Sequence, residues 1–303
     1  MSEQPARTVL PGPFGAAMAV DVEEWYHTCW VADYVDPRRR PPLTEELDVL
    51  LPALLDRFAA AERRATFFVL GEVARARPAL VRRIADAGHE IACHGHWHLR
   101  VDARTDDDFR RDLEDARRAL EDAWGGPVVG YRAPEWSLRR WTHPHLRRLP
   151  ELGFAYDSSL MPAPFVGTRR NPQRPTRLAW PDAQLIEVPP LTWAGPLRLP
   201  AGGWTGRLMP WRWIAGAARR ALTRGDRLPL YTIHPWELVD RPIPGPLRGV
   251  GRWMHDLGRR GHHRAFDALL RALPWTSIRD ALDPARRAAD AGDRPVAFGT
   301  IAP

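Results

Sequence analysis

A closed or nearly closed β/α barrel, an α/β fold, is predicted by three observations. Short apolar runs alternate with amphipathic helical stretches along the chain, the pattern of βα units around a parallel sheet. Polar, reactive residues follow these runs one after another, as they do at the C-terminal mouth of a barrel. The length of 303 residues is enough to bury one large core.

The first run, Ala16–Val20, ends in Asp21. Leu43–Ala61 has helical spacing, with Leu47, Leu50, Leu51, Leu54, Leu55 and Phe58 on one side. Ala65–Leu70 reads as a buried strand, Glu72–Ala87 as a helix stopped by Gly88, and His89–Cys93 as the next strand. Thr105 caps a helix with three aspartates in its first turn, and Gly125-Gly126 ends it. Val128–Tyr131 is a strand, and a helix is expected near Trp141–Leu152. Phe154–Tyr156 and Leu185–Val188 are shorter strands, and Leu228–Ile233 is the last convincing one. Between them, Met161–Trp180 is rich in Pro and Arg and reads as a long surface loop. The domain reading is a barrel over residues 1–240 and an Arg- and Pro-rich extension over 241–303 packed on it, with a helix near Phe266–Leu273.

Composition narrows the function. Apolar content of 44% and charged content of 27% are those of a globular protein. All 44 basic residues are arginine, interleaved with acids, so the net charge of +7 reads as coding bias with solvated faces and not as a nucleic-acid footprint. Cys29 and Cys93 make no disulfide framework, and Met1–Gly12 does not resemble a signal peptide. A reducing, cytoplasmic location is the expectation, with no transmembrane segment.

The most informative stretch is His94-Gly95-His96-Trp97-His98, where a strand ends in alternating histidines. His94 and His98 are four apart, a spacing that lets two imidazoles share one metal ion. After the other strands stand Asp21, Glu23 and Glu24, then Arg132, Asp157 and His234. Each alone suits a bland role: a turn cap, a surface ion pair, a satisfied core histidine. Together, at equivalent strand ends, they suit one site. Two histidines and a carboxylate make a three-ligand centre with room for water. A second carboxylate suits a general base, and an arginine either orients that base or binds an oxyanion. A histidine on the opposite wall suits protonation of a leaving amine.

These motifs resemble the polysaccharide deacetylases of the NodB-homology type, carbohydrate esterase family four, over about residues 16–240. The resemblance rests on Asp21-Val22-Glu23-Glu24, the Gly88-His89-Glu90-Ile91 strand leading to His94 and His98, Arg132-Ala133-Pro134, Tyr156-Asp157-Ser158-Ser159 and His234. It implies a distorted barrel and metal-dependent removal of an acetyl group from an acetamido sugar. It implies Asp21 as base, His94 and His98 as ligands, Arg132 orienting the base and His234 as acid. Asp157 and Trp193 are expected substrate contacts, with Trp204, Trp211 and Trp213 as further candidates for stacking on sugar rings. The segments Asp21–His27 and His234-Pro235-Trp236-Glu237 resemble a branch found with bacterial exopolysaccharide clusters.

The chain departs from that pattern in two respects: Glu135 stands where third-motif segments often have a tyrosine or a small residue, and the first motif differs. Most of the family has adjacent aspartates where this sequence has Asp21-Val22, so the third ligand is Glu23 or Glu24. Strand alternation puts Asp21 and Glu23 on one face, which favours Glu23. Zinc suits the donors, with cobalt, nickel or iron as alternatives. The expected partner is an acetamido-sugar oligomer or polymer, free or lipid-linked, and Trp204–Arg224 allows peripheral contact with an anionic membrane. The rival readings are hydrolysis of another non-peptide amide and a glycan-binding protein without turnover.

Overall fold

Alternation along each strand sorts the residues of this chain into an outer and an inner layer. In β2 (Ala16–Val22), Ala16, Met18, Val20 and Val22 pack outward against helices, while Ala17 and Ala19 face the barrel interior. The same division holds in β3 (Thr66–Val69), where Phe67 and Val69 face out and Phe68 in, and in β4 (Glu90–Cys93), where Ile91 and Cys93 face out and Ala92 in. The computed structural model describes residues 4–27, 36–41, 43, 46–240 and 247–282.

Among the described residues the sheet has ten strands. β2, β3, β4, β5 (Gly130–Tyr131), β6 (Tyr156–Asp157) and β8 (Gln184–Glu187) run parallel, each beside the next. β9 (Leu230–Ile233) lies parallel on the other edge of β2. The barrel nearly closes there, since the Leu191 N–H after β8 donates to the Leu230 carbonyl of β9 at 2.9 Å. Beyond β8 the sheet continues antiparallel through β7 (Thr176–Ala179) to β1 (Ala6–Val9).

The helices Glu46–Ala60, Asp106–Trp124 and Trp211–Arg224 bury apolar stripes on the outer layer. Thr105 caps the second as expected, its hydroxyl accepting from the Asp108 N–H at 3.2 Å, and Gly125 ends it at φ 85°. The expected helix Glu72–Ala87 is instead two, Gly71–Ala76 and Pro78–Asp86. Pro78 has no N–H to continue the first helix but is suited to start the second. The stretch near Trp141–Leu152 is a 3-10 turn, Pro144–Arg147, running into the short helix Arg148–Glu151, because two prolines interrupt it.

Three strands escaped the sequence reading. β7 lies inside the segment expected as a loop, where Pro and Arg masked a four-residue edge strand. β1 is short and exposed. One more strand follows Leu228–Ile233: β10 (Trp275–Thr276) pairs parallel with the start of β2. Two residues are too few to show a period. In the C-terminal segment the helices Gly249–Asp256 and His262–Ala272 lie against the body of the fold. Cys29 and residues beyond 282 lie outside the described residues. No described helix is long and apolar enough to cross a membrane.

Candidate metal centre

Continuing the inner parity past each strand end brings the reactive residues together. Asp21 and Glu23 extend the inner face of β2, His94 that of β4, Arg132 that of β5, and Thr232 and His234 that of β9. All of these except Arg132 line one cavity of about 470 Å³, together with His98, a size suited to a small ligand. Arg132 lies beneath its floor, fully buried.

Glu23, His94 and His98 each offer a ligand atom, all within 4.8 Å of one another. Glu23 Oε2 lies 2.6 Å from His98 Nε2 and 3.8 Å from His94 Nε2. That oxygen is buried and takes no hydrogen bond of acceptable geometry. His94 Nδ1 donates to the Arg132 carbonyl at 2.8 Å, which leaves the Nε2 lone pair directed at Glu23 and His98. Burial lowers the pKa of both His94 and His98 to about 4, so both imidazoles are neutral at neutral pH. Burial raises the Glu23 carboxyl, against the pull of His234 and His94. A buried carboxylate and two neutral imidazoles facing one point fit a divalent cation, which would compensate the carboxylate and use both lone pairs. Glu24, the alternative ligand, is not part of this group.

A second layer holds the loop that carries His98. His98 itself is left-handed at φ 50°, a conformation that costs free energy in a non-glycine residue. The Arg40 guanidinium donates to the Trp97 carbonyl and to the His98 carbonyl, the latter at 3.4 Å, and pairs with Glu72 at 3.4 Å. His27 bonds Glu72 through Nε2 at 2.9 Å, and its ring lies 5.6 Å from that of His98.

Four hydrogen bonds hold the Arg132 guanidinium. Its Nη1 donates to Asp21 Oδ1 at 2.7 Å and to the Thr232 hydroxyl at 3.2 Å, and its Nε and Nη2 donate to the Ser158 carbonyl and hydroxyl. Its plane is flanked by Phe68 and Trp136. Burial acts to raise the Asp21 pKa, but Arg132, His94 and His234 outweigh it and hold the carboxyl below its ordinary range. Asp21 is therefore ionised, with its second oxygen 3.9 Å from His234 Nε2.

His234 is held from behind. Its Nδ1 lies 2.5 Å from Glu237 Oε1, and its Nε2 lies 3.3 Å from Glu23 Oε1. Burial disfavours the charged ring, yet Glu23, Glu237 and Asp21 together lift its pKa to about 9. Glu237 is paired in turn with Arg207, whose guanidinium also donates to the Met254 and His255 carbonyls. The sequence reading passed over Arg207 and gave Glu237 no role. The readable signal was the i, i+3 spacing of His234 and Glu237 across a Pro-started turn.

Two expected substrate contacts are not in this cavity. Asp157 follows Tyr156, an inner residue, so alternation turns it outward. It meets Glu187 across the β6–β8 register and accepts from the Ser159 hydroxyl. Trp193 shares the parity of Leu191 and packs on the outer core. Of the other tryptophans, Trp204 lines the cavity and Trp211 and Trp213 do not, while Trp136 lines it and was not foreseen. His96 turns away from the ligand group: its N–H donates to Asp112 at 2.7 Å and its ring faces Gly71. Cys93 faces the outer core, where burial pushes its thiol far up. Glu135 lines the cavity, paired with Arg100 at 3.1 Å.

Residues 47–156 match a family model described as polysaccharide deacetylase, and residues 158–283 match one described as a domain of unknown function (DUF3473). His94, His98 and Arg132 fall in the first match and His234 in the second, while Asp21 and Glu23 precede both. A chitooligosaccharide deacetylase of Sinorhizobium fredii is 36% identical over 119 residues, covering 32% of this chain and 55% of that protein. A peptidoglycan deacetylase of Helicobacter pylori is 32% identical over 114 residues, 38% of each chain. The chain thus spans about half the length of the first relative and less of the second. A crystal structure of a candidate polysaccharide deacetylase from Mycobacterium smegmatis superposes with a TM-score of 0.61 over 100% of both chains at 24% identity, which shows a shared fold.

Proposed function

From a chain that carries a polysaccharide deacetylase domain, we propose a metal-dependent hydrolase that removes N-acetyl groups from an acetamido sugar. The observation that carries it is the meeting of Asp21 and His234 beside the Glu23, His94 and His98 group. These three residues would hold the metal, and their donor set suits zinc. The metal, when bound, supplies a Lewis acid that polarises the acetyl carbonyl and activates water.

The chain's own residues supply the proton transfers. Asp21, kept ionised by Arg132 at 2.7 Å, accepts the proton of the attacking water. His234 enters the cycle protonated and gives its Nε2 proton to the departing amine. Glu237 holds Nδ1–H, so Nε2 is the nitrogen presented to the cavity. Trp136, Met161 and Trp204 line the walls and exclude water around the amide.

Relatives named for chitooligosaccharides and for peptidoglycan support an acetamido sugar as substrate. We place the reaction in the assembly of an exopolysaccharide or another surface glycan, on the likeness of the His234–Glu237 motif to that branch. The test is acetate release from acetylated glucosamine oligomers by zinc-loaded protein. Asp21→Ala should abolish turnover and retain bound metal. A protein that binds the oligomers but releases no acetate with any divalent metal would overturn the hydrolase reading in favour of a glycan binder.

A further inference from the structure

We propose that the rim of the cavity is a docking surface for an anionic phospholipid bilayer. From Ser158 to Gly225 the sequence contains no acidic residue except Asp182 and Glu187. Asp182 is paired with Arg147, and Glu187 is fully buried. Asp226, just beyond this stretch, is paired with Arg174, while Arg169 and Arg212 are exposed and pair with no carboxylate among the described residues.

The same surface is apolar where it borders the cavity. Phe165 and Trp204 line the cavity and are 68% and 37% exposed. Leu208 follows Trp204 by one helical turn. The helix Gly249–Asp256 presents Val250 and Trp253 at i, i+3, 66% and 58% exposed. Arg207 ties these two helices together through the Met254 and His255 carbonyls. Arg169 and Arg198 join the loop that carries Phe165 to the one that carries the exposed Leu197, through the Pro196 and Arg169 carbonyls. The segments that carry these side chains are therefore tied together, and Phe165, Trp204 and Met254 from them line the same cavity.

Large exposed apolar side chains set among unneutralised arginines are the chemistry of an interfacial membrane site. A soluble acidic glycan would use the arginines and could stack on the aromatic rings. It would gain little from Leu197, Leu208 and Val250, which offer no flat face, whereas acyl chains accept them. The bilayer is therefore the occupant that uses the whole rim. This inference stands apart from the catalytic reading, since it concerns binding alone.

The test is co-sedimentation of the full chain with vesicles of phosphatidylcholine alone or mixed with phosphatidylglycerol. Binding is expected to the mixed vesicles, weakening as salt rises. Val250→Glu combined with Trp253→Ser should lower the partition coefficient about tenfold or more. Arg212→Glu combined with Arg248→Glu, the latter at the exposed start of the helix that carries Val250 and Trp253, should lower it as well. Arg118→Glu, on the exposed face of the distant helix Asp106–Trp124, should leave it unchanged. Circular dichroism verifies that each variant is folded, and the two pairs report independently. No binding to either vesicle, or equal binding to both, would overturn the proposal. So would full displacement by soluble alginate with the Val250/Trp253 variant unaffected, which would assign the rim to an acidic glycan.

Discussion

His234 Nδ1 stands 2.5 Å from Glu237 Oε1, three residues further along the same turn. The carboxylate that orients this histidine thus comes from its own segment, and its second oxygen is held by Arg207 at 3.3 Å. Glu237→Gln keeps the shape of the contact and removes the charge. We expect kcat to fall by about 10²–10⁴, as for other carboxylate-oriented histidines, with metal content unchanged. Steady-state kinetics with elemental analysis of the same samples checks this, and loss of metal in the variant would place Glu237 in the metal site instead.

Arg132 has a fully buried side chain ion-paired to Asp21. Arg132→Met would leave the Asp21 carboxylate buried without its partner, at a cost of about 3–5 kcal/mol. Urea unfolding should show this loss. The double variant Arg132→Met, Asp21→Asn should recover much of it, because the uncompensated charge is gone, while remaining inactive.

On the proposed function, metal should stabilise the fold, because the Glu23, His94 and His98 group that would hold it is assembled only in the folded chain. Saturation at about a hundred times the dissociation constant contributes about 2.7 kcal/mol. Adding a chelator should therefore lower the thermal midpoint of the parent protein. His94→Ala and His98→Ala should hold no metal, and chelator should leave their midpoints unmoved. Glu23→Gln should weaken metal binding and Glu24→Gln should not, as measured by stoichiometry after gel filtration.

Asp157 and Glu187 form a buried carboxyl pair across adjacent strands. Burial raises both: Asp157 to about 6, and Glu187 well above the ordinary glutamate range, where the Asp157 charge adds to the effect. The folded chain thus keeps protons that the unfolded chain releases. The stabilisation from this pair is fully present below the unfolded pKa values near 4, and is lost as pH rises through the folded ones. Glu187→Gln removes the need for that proton. Urea unfolding between about pH 5 and pH 8 should fall less steeply with pH in the variant than in the parent. Parallel slopes would rule the pair out as the source.

The legible part of this protein is the part governed by local periodicity. Alternation in Ala16–Val22 put Asp21 and Glu23 on one face, and the structure has both in the cavity while Glu24 is outside the ligand group. The Thr105 cap and the Gly125 stop define a helix because capping depends on the few residues around it. The same local rule, counted from the correct residue, turns Asp157 away from the cavity. A strand of two residues, Tyr156–Asp157, is too short for its phase to be read from sequence.

By itself, the sequence determined which strand ends carry reactive groups and which pairs of residues share a face, because a pleated strand repeats every two residues whatever surrounds it. Tertiary structure alone decided that those ends converge, since β2, β4, β5 and β9 bring together residues 111 positions apart, as in Arg132 and Asp21. It also decided that Arg207 stands behind Glu237, that Trp193 joins the outer core, and that β10 lies beside β2. The physical reason is that these contacts depend on which surfaces become apolar interior when the sheet curls, a choice made by the packing of the whole chain and encoded in no single segment.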